Sequence, residues 1–279
     1  MAGYPAREPP RTRRHARVTE VTAMPSTVRV EQHGAVTSII INRPERRNAV
    51  DASTAVALRE AFMAFEADES AHVAVLSGAS ENFCAGYDLK ALSTDGMDYE
   101  PEGVGPMGPS RMMIGKPVIA AVEGYAVAGG LELALMCDMR VASQTAIFGV
   151  FCRRWGVPLI DGGTVRLPRI VGQGRALDMI LTGRPVDALE ALAMGLADRV
   201  VPAGHALAAA LEIAHGIATF PQTCLLSDRS SVHQQWDETL RGALELEGRL
   251  GAPALTREGI AGAGRFAAGK GRGGSFANL

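Results

Sequence analysis

The chain has 279 residues, and 28 Lys plus Arg against 30 Asp plus Glu give it a formal charge of −2. This near-neutral charge excludes a polycation that binds nucleic acid through its phosphates. Hydrophobic residues make up 47% of the chain and charged residues 21%, a balance that excludes disorder throughout and predicts a buried core. Aromatic residues are only 5%, so aliphatic side chains must fill most of that core.

Cysteine spacing and hydropathy exclude further classes of protein. The cysteines are spread from Cys84 to Cys224 without a CxxC pair, so we expect neither a disulfide scaffold nor a metal site. The most apolar stretch, residues 117–136, is interrupted by Glu123, Glu132 and several glycines, and it therefore does not predict a membrane span. We expect a soluble, cytoplasmic protein that binds neither membrane nor nucleic acid.

Residues 1–26 predict a disordered tail. They carry arginine at positions 7, 11, 13, 14 and 17 together with four prolines and few large apolar residues, so they cannot bury a core. A transit peptide is the alternative, but the prolines disfavour the amphipathic helix that such a peptide needs.

The segments after the tail predict an α/β core over residues 27–202. Two β-branched runs, residues 27–32 and 35–42, flank the pair His33-Gly34 and predict a β-hairpin. Asp51 then begins a segment whose apolar residues recur at helical spacing. Strand-like runs at residues 72–76 and 117–122 are each followed by a glycine-bearing turn and helix-forming sequence, an alternation that predicts parallel strands.

The last third of the chain is predicted to be mainly helical. Helix-forming segments cover residues 177–181, 188–194, 206–217 and 223–250, with a short β-like run at 198–201. Residues 203–279 therefore form a predicted helical region, whose glycine-rich and basic end after Arg265 is expected to be mobile.

The most informative stretch is Gly124-Tyr-Ala-Val-Ala-Gly129-Gly130-Leu-Glu132, which leaves a predicted strand and enters a predicted helix. Unpaired backbone N–H groups at such a helix start favour an anion or oxyanion. Alternatively, the glycines only allow tight packing of strand and helix. Glu132 lies in apolar surroundings where a carboxylate suits a general acid or base. The alternative interpretation is that Glu132 occupies a solvent-facing position of the helix.

A second turn, Phe83-Cys84-Ala85-Gly86-Tyr87-Asp88-Leu89-Lys90, again separates a predicted strand from a predicted helix. With both of these turns, the chain resembles the crotonase family, also called the enoyl-CoA hydratase/isomerase family, over about residues 27–270. The resemblance is carried by four stretches in the expected order: Asn42 to Val50, Ala85 to Lys90, Gly124 to Glu132, and Gly183 to Val201.

This resemblance implies a crotonase-like spiral of ββα units, followed by C-terminal helices that mediate assembly into trimers or dimers of trimers. It also implies an acyl-CoA thioester substrate, with CoA carried by the substrate and no separate cofactor. The thioester oxygen would be held by the backbone N–H groups of Tyr87 and Gly129, because preorganised donors stabilise an enolate.

The chain departs from the family pattern at the second catalytic glutamate. The first glutamate of family hydratases matches Glu132, whereas the second would fall at Cys152. A thiol is a poor substitute for a carboxyl group in proton transfer. Asp161 is the nearest other carboxylate and is a candidate catalytic residue, or else only the N-cap of the following helix. Cys152 as a nucleophile is disfavoured, since no histidine lies nearby in sequence to activate it.

The same resemblance implies that CoA binds over the loops around residues 46–49 and 85–90. Basic side chains there suit its phosphates, although each could instead be a solvated surface charge, and Lys270 or Arg272 is a further candidate. The expected CoA- and substrate-binding residues are Arg46, Arg47, Ala49, Ala85, Asp88, Leu89 and Lys90.

The function expected from these features is hydration of a trans-2-enoyl-CoA by way of an oxyanion-stabilised enolate. Since Cys152 replaces a glutamate, an isomerase, decarboxylase or thioester hydrolase of the same fold is the alternative. A non-catalytic acyl-CoA binder is a third possibility, which the retained Glu132 disfavours.

Overall fold

The computed structural model describes residues 26–97, 99–274 and 276. The strands are β1 Val28–His33, β2 Val36–Ile41, β3 Val73–Gly78, β4 Val118–Val122, β5 Tyr125–Val127, β6 Met139–Ser143, β7 Ile147–Gly149, β8 Val186–Asp187 and β9 Arg199–Val201. The α-helices are α1 Ala52–Ala67, α2 Leu89–Asp95, α3 Gly129–Met136, α4 Gly163–Val171, α5 Gln173–Thr182, α6 Ala188–Ala193, α7 Ala206–Ala218, α8 Gln222–Gln234, α9 Leu240–Ala254 and α10 Ile260–Ala267. The tail predicted at residues 1–26 lies, apart from Ser26, outside the described residues.

A mixed sheet with strand order β1-β2-β3-β4-β6-β9 forms the centre of the core. The predicted hairpin is confirmed, because β1 pairs antiparallel with β2 from Val28 opposite Ile41 to His33 opposite Val36. All other neighbours in this sheet are parallel, as the alternation of strand and helix predicted. A smaller sheet, β5-β7-β8, lies beside it, so that β4 and β6 of the large sheet each lead directly into a strand of the small one.

Side chains on both faces of the large sheet are buried. Ala74 and Leu76 of β3 belong to the main core with α1, whereas Val73 and Val75 face a second cluster that contains α7. Burial on both faces explains why the parallel strands are nearly continuous apolar runs. On α7, Ala206, Ala210 and Ala214 are fully buried, and their spacing of four residues gives a smooth helix face that lies directly on the strands.

Helix α1 forms as its sequence predicts. Asp51 is its N-cap and accepts a hydrogen bond from the backbone N–H of Thr54 at 2.9 Å. The helix buries the side chains that recur at helical spacing, which are Leu58, Ala61, Phe62 and Phe65. The predicted helical stretch 223–250 is instead two helices, α8 and α9, because a 3-10 turn at Gln235–Asp237 interrupts it and Thr239 caps α9.

The boundary predicted at residues 202 and 203 stays a prediction. Helix α7 follows that boundary but packs on the large sheet, whereas α8 and α9 contact mainly each other and α10 contacts the helical turn Leu255–Gly259 that follows α9. Within the part of the chain that the structure describes, no helix is long and apolar enough to cross a membrane.

Asp138 joins helix α8 to the core. Both carboxylate oxygens accept from Nε of Arg229 at 3.0 Å, and Oδ1 lies 2.9 Å from Nε2 of His233. Arg229 also donates to the carbonyl oxygen of Ile114 at 2.8 Å. Burial opposes ionisation of Asp138, but the hydrogen bond from His233 and the charge and hydrogen bonds of Arg229 outweigh it and lower the pKa of Asp138.

The two loops that border the candidate site cross without space for a side chain. A Cβ added to Gly130, at the start of α3, would overlap the carbonyl oxygen of Cys84 in the loop before α2. Close to this crossing, Cys84 also forms a parallel bridge with Ala126 of β5. Glycine at position 130 is therefore required by close approach of two backbones.

We predict that Arg229→Met destabilises the protein by about 2 kcal/mol, because it leaves the partly buried Asp138 carboxylate without its cation. The matched control is Arg184→Met. Arg184 also pairs with two carboxylates, those of Asp178 and Glu190, but its side chain is 36% exposed against 15% for Arg229, and more exposed pairs contribute less, about 1 kcal/mol or below. Urea denaturation at equal protein concentration measures the free energy of unfolding of both variants, and equal losses of stability would contradict the role given to Arg229.

We predict that Gly130→Ala separates the two crossing loops and costs about 3 kcal/mol of stability through overpacking, together with most of the activity. Gly216→Ala is the control, because Gly216 lies in α7 with no atom within 4 Å of an added Cβ. That substitution should be neutral or stabilise by up to about 1 kcal/mol. Thermal denaturation separates the variants, and a Gly130→Ala protein as stable as Gly216→Ala would refute the crossing constraint.

Candidate active site

The backbone N–H of Tyr87 has no acceptor among the described residues. Tyr87 forms an isolated parallel bridge with Val50, in which Val50 donates to the carbonyl of Gly86 at 2.9 Å and Asp88 donates to the carbonyl of Val50 at 2.8 Å. In a parallel bridge the N–H of the central residue points away from its partner. The N–H of Tyr87 is therefore directed away from Val50.

A second backbone donor lies beside it. Gly129 is the first residue of α3, so its N–H has no partner within the helix and lies at the positive end of the helix dipole. A Cβ added to Gly86 would lie 3.1 Å from the nitrogen of Gly129, which shows how close the two loops come. The preceding Ala128 has φ +53° and ψ −125°, a strained conformation of the kind found at functional sites.

Both donors border one cavity of about 320 Å³. The cavity also brings together five other residues predicted from sequence, which are Glu132, Asp161, Arg47, Ala85 and Leu89. Cys152 lines the same cavity. The remaining walls are largely apolar and include Met97, Pro106, Met107, Tyr125, Val127, Ala128, Phe151, Arg154, Trp155, Val157, Pro158 and Ile160.

Glu132 is the buried carboxylate of this cavity. Only 2% of the residue is exposed, so the solvent-facing alternative is wrong. Its Oε1 accepts the backbone N–H groups of Asp161 and Gly163, each at 2.9 Å. Burial and the nearby charge of Asp161 raise the pKa of Glu132 to about 7, against the opposing effect of those two N–H donors and of Arg166. A carboxyl group with this pKa can both accept and release a proton near neutral pH.

Asp161 is a second buried carboxyl group and not a helix cap. The N-cap of α4 is Gly162, without a side-chain hydrogen bond, so the N-cap interpretation of Asp161 is wrong. Its Oδ1 instead accepts the backbone N–H of Met107 at 3.0 Å and the hydroxyl of Ser110. Burial raises the pKa of Asp161, although the hydrogen bond from Ser110 opposes this.

Ser110 and Arg166 support this carboxylate pair and were not predicted. Ser110 is fully buried beside Asp161. The guanidinium of Arg166 donates to the carbonyl oxygens of Ser110 at 2.7 Å and Asp161 at 3.3 Å. Ser110 lies 51 residues from Asp161 along the chain, so no local sequence pattern could have indicated this contact.

Cys152 lies in a 3-10 turn, Phe151–Trp155, and its side chain is buried. Burial, with the added effect of the negative charge of Glu132, raises the pKa of the Cys152 thiol. The group therefore stays a neutral thiol near pH 7, which disfavours it as a nucleophile.

Two arginines lie over neighbouring aromatic rings at one end of the cavity, because the ring centres of Tyr125 and Phe151 are 6.4 Å apart. The guanidinium of Arg47 lies 5.8 Å from the ring centre of Tyr125, and that of Arg154 lies 4.8 Å from the ring centre of Phe151. This end of the cavity is cationic, whereas the acidic residues that line the cavity are Glu132 and Asp161. Such an end could hold the phosphates of a nucleotide.

The other predicted CoA-binding residues do not line the cavity. Arg46 and Lys90 are exposed on the protein surface. Ala49 is buried and its carbonyl accepts a hydrogen bond from Arg43. Asp88 caps α2 and pairs with the same Arg43 at 3.2 Å. Their part in CoA binding stays a prediction, as does that of the exposed Lys270 in the C-terminal segment. Among the residues with described positions, no cluster could hold a metal ion.

Comparisons with known proteins identify relatives over most of the chain. A sequence model of the enoyl-CoA hydratase/isomerase family matches residues 31–262. A probable enoyl-CoA hydratase of Rhizobium meliloti (strain 1021) is 40% identical over 227 residues, which cover 80% of this chain and 88% of that protein. A carnitinyl-CoA dehydratase of Proteus mirabilis (strain HI4320) is 40% identical over 198 residues, covering 70% and 76%.

The fold agrees with these sequence relatives. The crystal structure of enoyl-CoA hydratase EchA1 from Mycobacterium marinum superimposes with a TM-score of 0.82 and 34% identity, and the match covers 87% of this chain and 96% of that one. The α/β crotonase-like fold expected from the motifs is thereby confirmed. The chain therefore belongs to the enoyl-CoA hydratase/isomerase family.

Proposed function

We propose that the protein is an acyl-CoA hydratase that adds water across a 2-enoyl-CoA thioester, with Glu132 as the carboxylate that moves the protons. One observation carries this proposal: the buried carboxyl group of Glu132 borders the same cavity as the N–H groups of Tyr87 and Gly129, which have no acceptor among the residues that the structure describes. Relatives that are named hydratase or dehydratase support it.

In the proposed reaction the thioester oxygen accepts hydrogen bonds from the N–H groups of Tyr87 and Gly129. Ionised Glu132 takes a proton from water as the hydroxyl group bonds to the β carbon, and the double-bond electrons move to form an enolate. The two backbone donors stabilise the negative oxygen by about 3 to 4 kcal/mol. Protonated Glu132 then returns the proton to the α carbon, so one water molecule has been added and the enzyme is restored.

A pKa of about 7 suits one carboxyl group to both of these steps. The position of the family's second glutamate is the neutral thiol of Cys152, which supports a mechanism with Glu132 as the main proton carrier. Asp161 is the second candidate catalytic residue, because it is buried in the same cavity. Its hydrogen bonds from Met107 and Ser110 also suit it to hold the loop that positions Glu132.

We propose that the CoA phosphates bind at the cationic end of the cavity, where Arg47 and Arg154 lie. Arg46 and Lys90 at the surface and the predicted Ala49, Ala85, Asp88 and Leu89 complete the proposed CoA-binding region. No cofactor is needed, since addition of water to an enoyl thioester requires neither redox chemistry nor an electron sink beyond the thioester oxygen.

We further propose a homotrimer, or a dimer of trimers, in the cytoplasm. Large apolar side chains are exposed on the C-terminal helices, which supports their use in assembly. These are Leu240, Leu244, Leu255, Ile260 and Phe266, each at least 60% exposed.

Double-bond isomerisation is the second candidate function. Moving a proton between two carbons of an enolate requires one carboxyl group, and Glu132 without a second glutamate at position 152 meets that requirement. Decarboxylation, thioester hydrolysis and binding without turnover are further outcomes, which the enoyl-CoA assay described next distinguishes from hydration.

The proposal predicts that purified protein removes the conjugated absorbance of short and medium trans-2-enoyl-CoA substrates and forms 3-hydroxyacyl-CoA. Glu132→Gln should lower kcat/KM by about 10² to 10⁴, the usual contribution of a general acid or base. Asp161→Asn should cost less, because the amide oxygen of Asn can still accept the hydrogen bonds from Met107 and Ser110. Glu60→Gln on the exposed face of α1 is the matched control. If wild type does not hydrate the substrate and Cys152→Glu does, the assignment of the protein as a hydratase is refuted.

The raised pKa of Glu132 predicts a linked pH dependence of stability and activity. Between about pH 4.5 and 7 the unfolded state has lost the proton that the native state still binds, so the free energy of unfolding falls as pH rises through this window. At pH 8 Glu132→Gln should be more stable than wild type by about 3 kcal/mol, although it is less active. Wild-type hydration should rise with pH around a midpoint near 7.

Urea denaturation at pH 5 and pH 8 measures the difference, with Glu60→Gln expected to follow wild type. Parallel stability curves for wild type and Glu132→Gln would mean that Glu132 is not held protonated by burial.

A further inference from the structure

A second cavity of about 530 Å³ adjoins the active-site cavity. The two share Tyr87, Met97 and Pro106 as lining residues, so the cavities meet at these three residues. One wall is a face of α1 and another is the segment 104–108. Much of the lining is small or apolar and comes from Ala52, Ala55, Val56, Ala91, Val104, Gly105 and Gly108.

Arg59 is the cationic residue of this lining. It lies one helical turn after Ala55 on α1, so both share the face of the helix that borders the cavity. Its Nε is buried and has no hydrogen-bond partner. Within residues 26–97, 99–274 and 276, no acid forms an ion pair with Arg59. Nε itself is closed to a ligand, so the atoms of Arg59 that can meet an acceptor in the cavity are its two terminal nitrogens, which form no hydrogen bond within the same described residues.

Asp51 and Asp95 also line this cavity, but neither forms an ion pair with Arg59. Asp51 pairs with Arg43 at 2.9 Å and accepts from Thr54 as the cap of α1. Asp95 is exposed at the end of α2. Arg59 therefore has no acidic partner among the described residues, and the shared lining residues give a chain bound in the active-site cavity a route to it.

We propose that the preferred substrates are CoA thioesters of 2-unsaturated dicarboxylic acids, whose distal carboxylate binds Arg59 in the second cavity. This inference rests on the proposed hydration at Glu132 and specifies its substrate class. The apolar walls cover the methylene groups between the thioester and the far end of the chain. The planar guanidinium matches a carboxylate in shape and charge, whereas a terminal methyl group offers its terminal nitrogens no acceptor.

Kinetics on matched substrate pairs test the proposal. Each pair has one 2-enoyl-CoA that ends in a methyl group and one of equal length that ends in a carboxylate, over a series of chain lengths. At the length that reaches Arg59, wild type should prefer the carboxylate by at least about tenfold in kcat/KM, as a charged hydrogen bond provides. Arg59→Met should lose that preference, and Arg59→Lys should keep part of it.

Arg175→Met is the matched control, because Arg175 is exposed on α5 and lines neither cavity. It should retain the wild-type preference. Equal rates for both members of every pair, or a preference that survives in Arg59→Met, would overturn the proposal.

A binding experiment separates this inference from the proposed function. Glu132→Gln protein is titrated calorimetrically with saturated acyl-CoA and with saturated acyl-CoA of equal length that ends in a carboxylate. At least tenfold tighter binding of the second ligand, lost in Glu132→Gln/Arg59→Met, supports the Arg59 site even if no enoyl-CoA is hydrated. Hydration of enoyl-CoA without this difference in affinity leaves the proposed function standing and refutes the site.

Discussion

The active-site cavity depends on the contact between Gly130 and the carbonyl of Cys84. Two loops that follow different strands reach van der Waals contact at this point, and no side chain fits between them. Because they meet there, the N–H groups of Tyr87 and Gly129 border the same cavity. A geometry fixed by backbone contact does not have to be reorganised when negative charge develops on a bound oxygen, which is the condition for electrostatic catalysis.

The carboxyl group of Glu132 is held between opposing influences. Burial and Asp161 disfavour its charge, whereas the N–H groups of Asp161 and Gly163 and the charge of Arg166 favour it. Neither side dominates completely, so its pKa lies near neutrality instead of several units above it. Gly163 contributes to this balance through its N–H, which donates to Oε1. Glycine suits this position because an added Cβ would lie only 2.9 Å from the same oxygen. The residues around Glu132 thus determine its protonation state as well as its position.

Local patterns predicted much of the fold and part of the site. Asp51 and the apolar spacing behind it predicted α1, and the glycines before Glu132 predicted the start of α3. The small sheet was missed because β5, β7 and β8 have three or two residues each, too few to show a period. The hydrogen bonds of Asp161 were also missed, because Met107 and Ser110 lie 54 and 51 residues away in the chain. Such contacts arise only when the loops assemble.

The scarcity of aromatic residues has a spectroscopic consequence. The chain has two tryptophans, and both are largely exposed, Trp155 at the active-site cavity and Trp236 beneath Arg169. Intrinsic tryptophan emission therefore reports on events at these two places and hardly on the aliphatic core. A ligand that covers Trp155 changes the emission while the fold stays intact, so fluorescence serves here as a binding signal more readily than as a measure of unfolding.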